Sequence, residues 1–473
     1  MKKRFAICST IVLLLLLSAC GAPQTLDFSY APEGEELSSL MVETSQTHRA
    51  ELEHVPSAAD FADAISDAPA SAGLLSESEV ESLLRGHAAM ETVSKEQSQS
   101  DVSLLFRTLQ SAYGAYEYFG QEKFDAAEDA VTQWLSSQDD EIKVSALGEK
   151  LQESLAFMLT HDAHAMIYEP AAEEIEAQVR YEYFFADGFF FSKDVNGSYY
   201  MVNDGERWTL SSFSDEHVSV QPTLLQDGRI VYQPTLFALR KDAVQSSVTL
   251  KNSSGKAKIY RLDWTESQPL DVDLGTLDYR LIQEDGLTYV SLRSLVSGTY
   301  DNMLARYARE GAKARGSKAV IYDLRGNVGG SDSWPRKWIQ SFLGTQNSIE
   351  TSMLYAQKNS ALFAAENSES LLPEDEGTCF AREVHGTWYE NDIPIIVLVD
   401  DHCGSSGEGA VQLLKTLDNV LVVGSNTAGY QLCGNISTFT LPYTGIGVRF
   451  GSTLFLYGDG ENVDHRGYVP DVW

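Results

Sequence analysis

Three short segments in the last third of the chain hold residues whose types and spacing could do chemistry. The first, Asp323-Leu324-Arg325-Gly326-Asn327-Val328-Gly329-Gly330, runs from an apolar strand into a glycine-rich turn. Glycines there permit positive φ and close backbone approach, and the freed N–H groups can form an anion-binding nest. The second is Asp400-Asp401-His402-Cys403-Gly404-Ser405-Ser406-Gly407-Glu408, in which an apolar strand ends, small residues turn the chain, and a helix begins near Gly407. A serine at such an elbow sits where backbone N–H groups and the helix dipole favour a developing negative charge. Ser405-x-x-Glu408 also has the form of a capping box, so cap and nucleophile compete for the same residue. No Gly-x-Ser-x-Gly frame fits either serine. The third segment is Asp464-His465-Arg466-Gly467-Tyr468-Val469-Pro470-Asp471.

The elements that must position these groups can be read from periodicity. From about residue 277, short apolar runs (319–322, 393–399 and 420–423) alternate with helical stretches, the pattern of an α/β core. Residues 169–276 are aromatic and β-branched, punctuated by Asp187-Gly188, Asn196-Gly197, Asp204-Gly205 and Asp227-Gly228, which predict hairpins in a β-rich module. Residues 101–168 carry apolar residues at three- and four-residue steps (Leu104, Leu105, Leu109; Phe124, Ala127, Val131, Leu135; Val144, Leu147, Leu151, Leu155) and predict a helical bundle. That region ends in His161-Asp162-Ala163-His164. Residues 20–100 are rich in Ser, Glu, Ala and Asp and read as an acidic, flexible tether with room for short helices.

At the start, Lys2, Lys3 and Arg4 precede an apolar run from Ile11 to Leu17, followed by Leu17-Ser18-Ala19-Cys20. The run is short of the ~18–20 residues that span a bilayer. It reads as a signal peptide over residues 1–19, and the cysteine after the small residues resembles the bacterial lipoprotein box. That resemblance implies lipidation of Cys20 and a place on the outer face of the cell membrane. The 473 residues carry 68 Asp and Glu against 35 Lys and Arg, a net charge of −33, which argues against nucleic acid as a partner. Beyond Cys8 and Cys20 the cysteines are Cys379, Cys403 and Cys433, enough for one disulfide at most and without zinc-ligand spacing.

Taken in order, D-L-R-G-N-x-G-G, a strand followed by Ser-x-x-Glu on a helix, V-V-G-x-x-T-x-G and a terminal G-x-x-P-D resemble the serine peptidases that include the tail-specific (C-terminal processing) proteases and the tricorn core. The resemblance covers roughly residues 100–473. It implies a ClpP/crotonase-like catalytic core over 277–473, with the β-rich stretch at the position of a PDZ module. Matched to the family's motifs, Ser405 falls on the nucleophile, Glu408 on the helix-starting glutamate, and the N–H groups of Gly329, Gly330 and Ser406 on the oxyanion hole. Tail-specific proteases place a lysine base where this chain has Tyr430, and a phenol is a poor base at neutral pH. The tricorn-like branch takes a histidine from the far N-terminal side, which here is His164, supported by Asp162 and oriented by Asp464. Ala163 stands where that branch has serine.

Of the other polar groups, His161 reads as a helix cap, His402 as a rival base, His465 as a neighbour of the site and Cys403 as two residues early for a nucleophile. The resemblance implies peptide or unfolded-protein substrates cleaved through an acyl-enzyme, without metal or cofactor. The alternative is a non-catalytic binding lipoprotein on the same fold, as the retinoid-binding relatives exemplify.

Overall fold

The computed structural model describes residues 37–65, 75–168, 181–266 (without 187, 204, 226–228 and 240–245) and 279–473 (without 299, 368, 370, 373–374 and 459). The signal segment and Cys20 lie outside these residues. None of the described helices is long and apolar enough to cross a membrane. The described residues divide into two units, one of residues 37–41, 181–266 and 471–473, the other of residues 42–168 and 279–470.

The first unit is antiparallel β. One sheet has the order Ala257–Leu262, Ser246–Asn252, Glu206–Phe213, Tyr199–Asn203, Ser192–Lys193; the other Trp264–Glu266, Tyr181–Ala186, Ile230–Leu239, Val218–Leu224. Trp208, Phe191, Val248 and Leu250 fill its core. The predicted hairpin at Asn196-Gly197 is present, joining Ser192–Lys193 to Tyr199–Asn203 with Gly197 at φ 77°. Strands Tyr199–Asn203 and Glu206–Phe213 pair around residue 205, and Val218–Leu224 pairs with Ile230–Leu239 across the Asp227-Gly228 stretch, whose tip lies outside the described residues. Asp187-Gly188 does not make a hairpin: the strand before it, Tyr181–Ala186, and the strand after it, Ser192–Lys193, belong to different sheets. A turn dipeptide reverses or redirects the chain without specifying which strands pair.

The second unit has two cores. One surrounds a mixed sheet ordered Arg280–Glu284, Leu287–Ser291, Ala319–Asp323, Ile395–Val399, Val420–Gly424, in which all pairs after the first are parallel. Helices Asp301–Ala314, Ser333–Leu343 and Ser406–Leu414 contribute Leu304, Tyr307, Trp338, Phe342, Val411 and Leu414 to the same core as the sheet residues Val320, Val397 and Val420. Strands buried this way read as continuous apolar runs, and the α/β expectation rested on those runs. The other core joins the predicted helices, Lys95–Ala112, Gln121–Ser137 and Val144–Ser154, to an antiparallel sheet ordered Cys379–Val384, Met353–Lys358, Gly447–Tyr457, Cys433–Thr440. Strand Met166–Tyr168 adds to the Gly447–Tyr457 edge.

Part of the expected tether is folded. Helix Leu37–Glu53 is held in this unit from its C-terminal half: Ser45 Oγ accepts the Asn419 N–H and Glu51 pairs with Lys415. Helix Glu77–Arg85 opens on a reciprocal Ser76–Glu79 capping box and buries Val80 and Leu83. The composition of residues 20–100 hides these helices because each buries only a narrow apolar stripe, and tertiary packing supplies the stability that local pattern lacks.

Candidate active site

The topology brings the first two chemical segments together. Asp323 pairs in register with Leu398, so the chain leaves the carboxyl ends of two neighbouring parallel strands as the glycine-rich turn and as the Ser405 elbow. Crevices at that end of an open α/β sheet are where ligands bind.

Asp323 fixes the turn. Its buried carboxylate accepts from the Arg325 backbone N–H and guanidinium, from Arg293 and from the Tyr289 hydroxyl. Burial alone would raise its pKa, but Arg325 and Arg293 hold it at about 2 against an ordinary 3.8. A depressed carboxylate contributes stability that is present above its unfolded pKa and lost as pH falls through its folded one. Asp323 therefore contributes about 2 kcal/mol above pH ~4, lost as pH drops towards ~2. Urea unfolding between pH 2 and 6 is expected to show a gap between wild type and Asp323→Asn that closes by about this amount at low pH; a gap independent of pH would contradict the assignment.

The turn and the elbow are in contact. A methyl group added to Gly329, which has φ 98°, would lie 2.7 Å from Ser405 Cβ and 3.0 Å from Ser406 N. Gly330 has φ 141°, and a side chain there would overlap the Leu295 backbone. Asp400 accepts the Gly326 N–H at 2.8 Å, Asn327 O accepts the Gly404 N–H at 2.9 Å, and Ser406 Oγ donates to Gly330 O at 3.0 Å. The Gly329 N–H donates to Asn327 Oδ1 at 3.0 Å, so this oxyanion-hole candidate is occupied within the turn. The Ser406 N–H is one of the donors that a helix N-terminus leaves unpaired.

Ser405 precedes helix Ser406–Leu414 with φ 54° and ψ −124°, a conformation that costs a non-glycine residue about 1–3 kcal/mol. What holds it there is largely Glu408. This fully buried carboxylate accepts from the Ser405 N–H (3.0 Å), the Thr427 hydroxyl (2.5 Å), the Gly429 N–H (2.8 Å) and the Tyr430 N–H (2.8 Å). Burial pushes its pKa up while the four donors act against that rise. Glu408 thus ties the elbow to the 427–430 turn. Gln431, which the sequence did not single out, adds a second tie by donating from Nε2 to Ser405 O at 2.8 Å.

His164 lies on the loop between the helical layer and strand Met166–Tyr168. Asp162 positions that loop: its Oδ1 accepts the His164 N–H at 2.8 Å and its Oδ2 the Tyr113 hydroxyl at 2.8 Å. Burial, reinforced by the nearby Arg449 cation, lowers the His164 pKa to about 3, so the imidazole is neutral at physiological pH. Its Nδ1 is buried without a hydrogen-bond partner among the described residues. No hydrogen bond joins His164 to Ser405. Tyr430 contacts both regions instead: its ring meets the His164 ring edge to face, centroids 5.3 Å apart, and its Cδ2 would lie 3.2 Å from a methyl placed on Gly404.

Asp464 does not reach the imidazole either. Its Oδ2 accepts the Ala163 N–H at 2.9 Å, and its Oδ1 accepts the Gln431 and Leu432 N–H groups at 2.7 and 2.8 Å. Burial and the neighbouring Asp162 carboxylate push its pKa well up. Asp464 clamps the His164 loop to the chain just beyond Tyr430, acting through backbone rather than through the histidine ring. Of the remaining candidates, His161 Nδ1 lies 3.0 Å from Phe157 O at the helix end, and His465 is tied by its N–H to Gly429 O. Cys403 is fully buried, and burial raises its thiol pKa well above normal, which removes the thiolate a nucleophile needs. Cys379, Cys403 and Cys433 are all buried, and none of them forms a disulfide among the described residues.

Residues 286–473 match the family model described as Peptidase family S41. No curated protein matches the chain in sequence. Similar solved structures include mature CPAF (13% identity, 80% of this chain and 92% of that chain, TM-score 0.42). Others are the photosystem II D1 C-terminal processing protease (14%, 79% and 92%, 0.39) and the tricorn protease (14%, 80% and 34%, 0.36). At these scores no residue role passes from them to this chain. The family match covers the parallel sheet, the glycine-rich turn, the Ser405 elbow and the terminal segment, so the C-terminal part of this chain, residues 286–473, is similar to the serine-type peptidase domains of that family.

Proposed function

We propose that the chain is a membrane-anchored, extracytoplasmic serine endopeptidase that cleaves peptides or unfolded protein segments through an acyl-enzyme on Ser405. The observation that carries this reading is the strained Ser405 backbone, φ 54° at a helix N-terminus, pressed against Gly329 and locked by Glu408. Ser405 Oγ attacks the scissile carbonyl, and the Ser406 N–H, with Gly330 beside it, stabilises the oxyanion. The Gly329 N–H joins them once it exchanges Asn327 Oδ1 for the oxyanion. His164, neutral at working pH, takes the Ser405 proton and returns it to the leaving amine. For that transfer the Tyr430 ring must leave its place against His164 and Gly404, a rotamer change of the kind that substrate binding drives. Asp162 and Asp464 act as positioning residues for the His164 loop. The anchor is a lipid on Cys20, supported by the basic, apolar and Leu17-Ser18-Ala19-Cys20 sequence at the N-terminus.

The same Tyr430 contact favours a second reading, a non-catalytic peptide-binding lipoprotein in which the aromatic ring permanently fills the base position. The labelling rate of the chain by a fluorophosphonate separates the two. As a peptidase, the wild type labels, and His164→Ala labels at least about 100-fold more slowly, the ordinary contribution of a positioned base. Equal rates in wild type and His164→Ala would remove His164 from the mechanism, and no labelling of the wild type would favour the binder.

A further inference from the structure

The loop that delivers Ser405 begins with three consecutive residues that the peptidase reaction does not use. The ligand-capable atoms of Asp400, Asp401 and His402 all lie within 4.8 Å of one another. Asp400 is 5% exposed; its Oδ1 accepts the Gly326 and His402 N–H groups, while its Oδ2 is buried with no hydrogen-bond partner among the described residues. His402 Nδ1 lies 2.9 Å from Asp401 Oδ1, yet it too is buried without a hydrogen bond of proper geometry. The Arg325 guanidinium is committed to Asp323 at 2.8 and 2.9 Å. A buried carboxylate oxygen without a hydrogen bond thus lies in one cluster with an imidazole nitrogen whose sole close neighbour among the described contacts is a second carboxylate. Such groups are costly when unsatisfied.

We propose that Asp400, Asp401 and His402 form a divalent-cation site. One nitrogen and two carboxylate ligands suit a borderline ion such as Zn²⁺. Three protein ligands leave an open position for water, and the partial exposure of Asp401 and His402 (37% and 24% of their side chains) gives the ion a path in. The site would brace the elbow. Asp400 also accepts the Gly326 N–H of the glycine-rich turn and, through its carbonyl, the Cys403 N–H, so an ion held there stiffens the link between the turn and Ser405. This inference stands apart from catalysis by Ser405 and survives if the chain proves to be a binder.

Calorimetric titration of the chelator-treated full chain with Zn²⁺ tests it. Wild type is expected to bind one ion and to gain in thermal midpoint on saturation, since a ligand that binds only the folded state stabilises it. Asp401→Asn and His402→Gln, both partly exposed positions, are each expected to weaken binding at least about tenfold. Absence of stoichiometric binding by the wild type, or wild-type affinity in either variant, would overturn the site.

Discussion

Alanine in place of Ser405 is expected to lower hydrolysis of an unfolded protein substrate by about 10⁶-fold, the loss seen when a serine nucleophile is removed from its catalytic unit. The residual rate would come from substrate binding and the oxyanion hole alone. Ser405→Gly separates this loss from unfolding. It removes the same hydroxyl, but glycine adopts φ 54° without strain, so the variant is expected to gain about 1 kcal/mol of stability while losing activity. Hydrolysis assays paired with denaturant melts check both halves. An active Ser405→Ala protein would place the nucleophile elsewhere, and a Ser405→Gly protein much less stable than wild type would contradict the strain argument.

The second large effect falls on Glu408. Removing its carboxylate leaves the Ser405, Gly429 and Tyr430 N–H groups and the Thr427 hydroxyl without their acceptor in a dry interior. Glu408→Ala is therefore expected to cost on the order of 4 kcal/mol, since each stranded buried donor costs about 1–3 kcal/mol and some relax towards water. Glu408→Gln is expected to be nearly as harmful, because its amide nitrogen would face donors. Equilibrium unfolding in urea measures both, and a Glu408→Gln protein as stable as wild type would mean that the carboxyl is not held as a charged acceptor.

How much of this the sequence disclosed varies residue by residue. The Ser405 elbow was legible because an apolar run, a cluster of small residues and an amphipathic start occur within about a dozen positions. The glycine-rich turn was legible for the same reason, and the parallel pairing of their strands follows from the α/β alternation. His164 became a candidate only through family resemblance. It lies 241 residues before Ser405, and no local pattern reports on such a distance. The role expected of Asp464, holding the imidazole, gives way in the structure to three backbone N–H groups, at residues 163, 431 and 432. Backbone donors carry no sequence signature, so a carboxylate that serves them looks the same as one that serves a histidine. Gln431 and Asn327 were missed on these grounds as well: each bonds backbone close to Ser405 or Gly329. Short helices within the tether were allowed by its composition, but their bounds at Leu37–Glu53 and Glu77–Arg85 were masked by polar residues, the Ser76-x-x-Glu79 capping box being the one local signal.

Tyr430 links the two halves of the account. It replaces the base of one branch of the family and stands against the base proposed from the other. The proposal for Ser405 rests on more observations than the proposal for His164, because Ser405 carries its own backbone strain, is tied by Glu408 and precedes the helix-starting Ser406.

The most direct test is mass-spectrometric mapping of the adduct formed when the wild-type chain reacts with a fluorophosphonate. The account predicts a single phosphonylated residue, in the peptide containing Gly404-Ser405-Ser406, with fragment ions that place the added mass on Ser405. An adduct on Ser406 or at another serine, or no adduct at all under conditions that label an active serine peptidase, would contradict it.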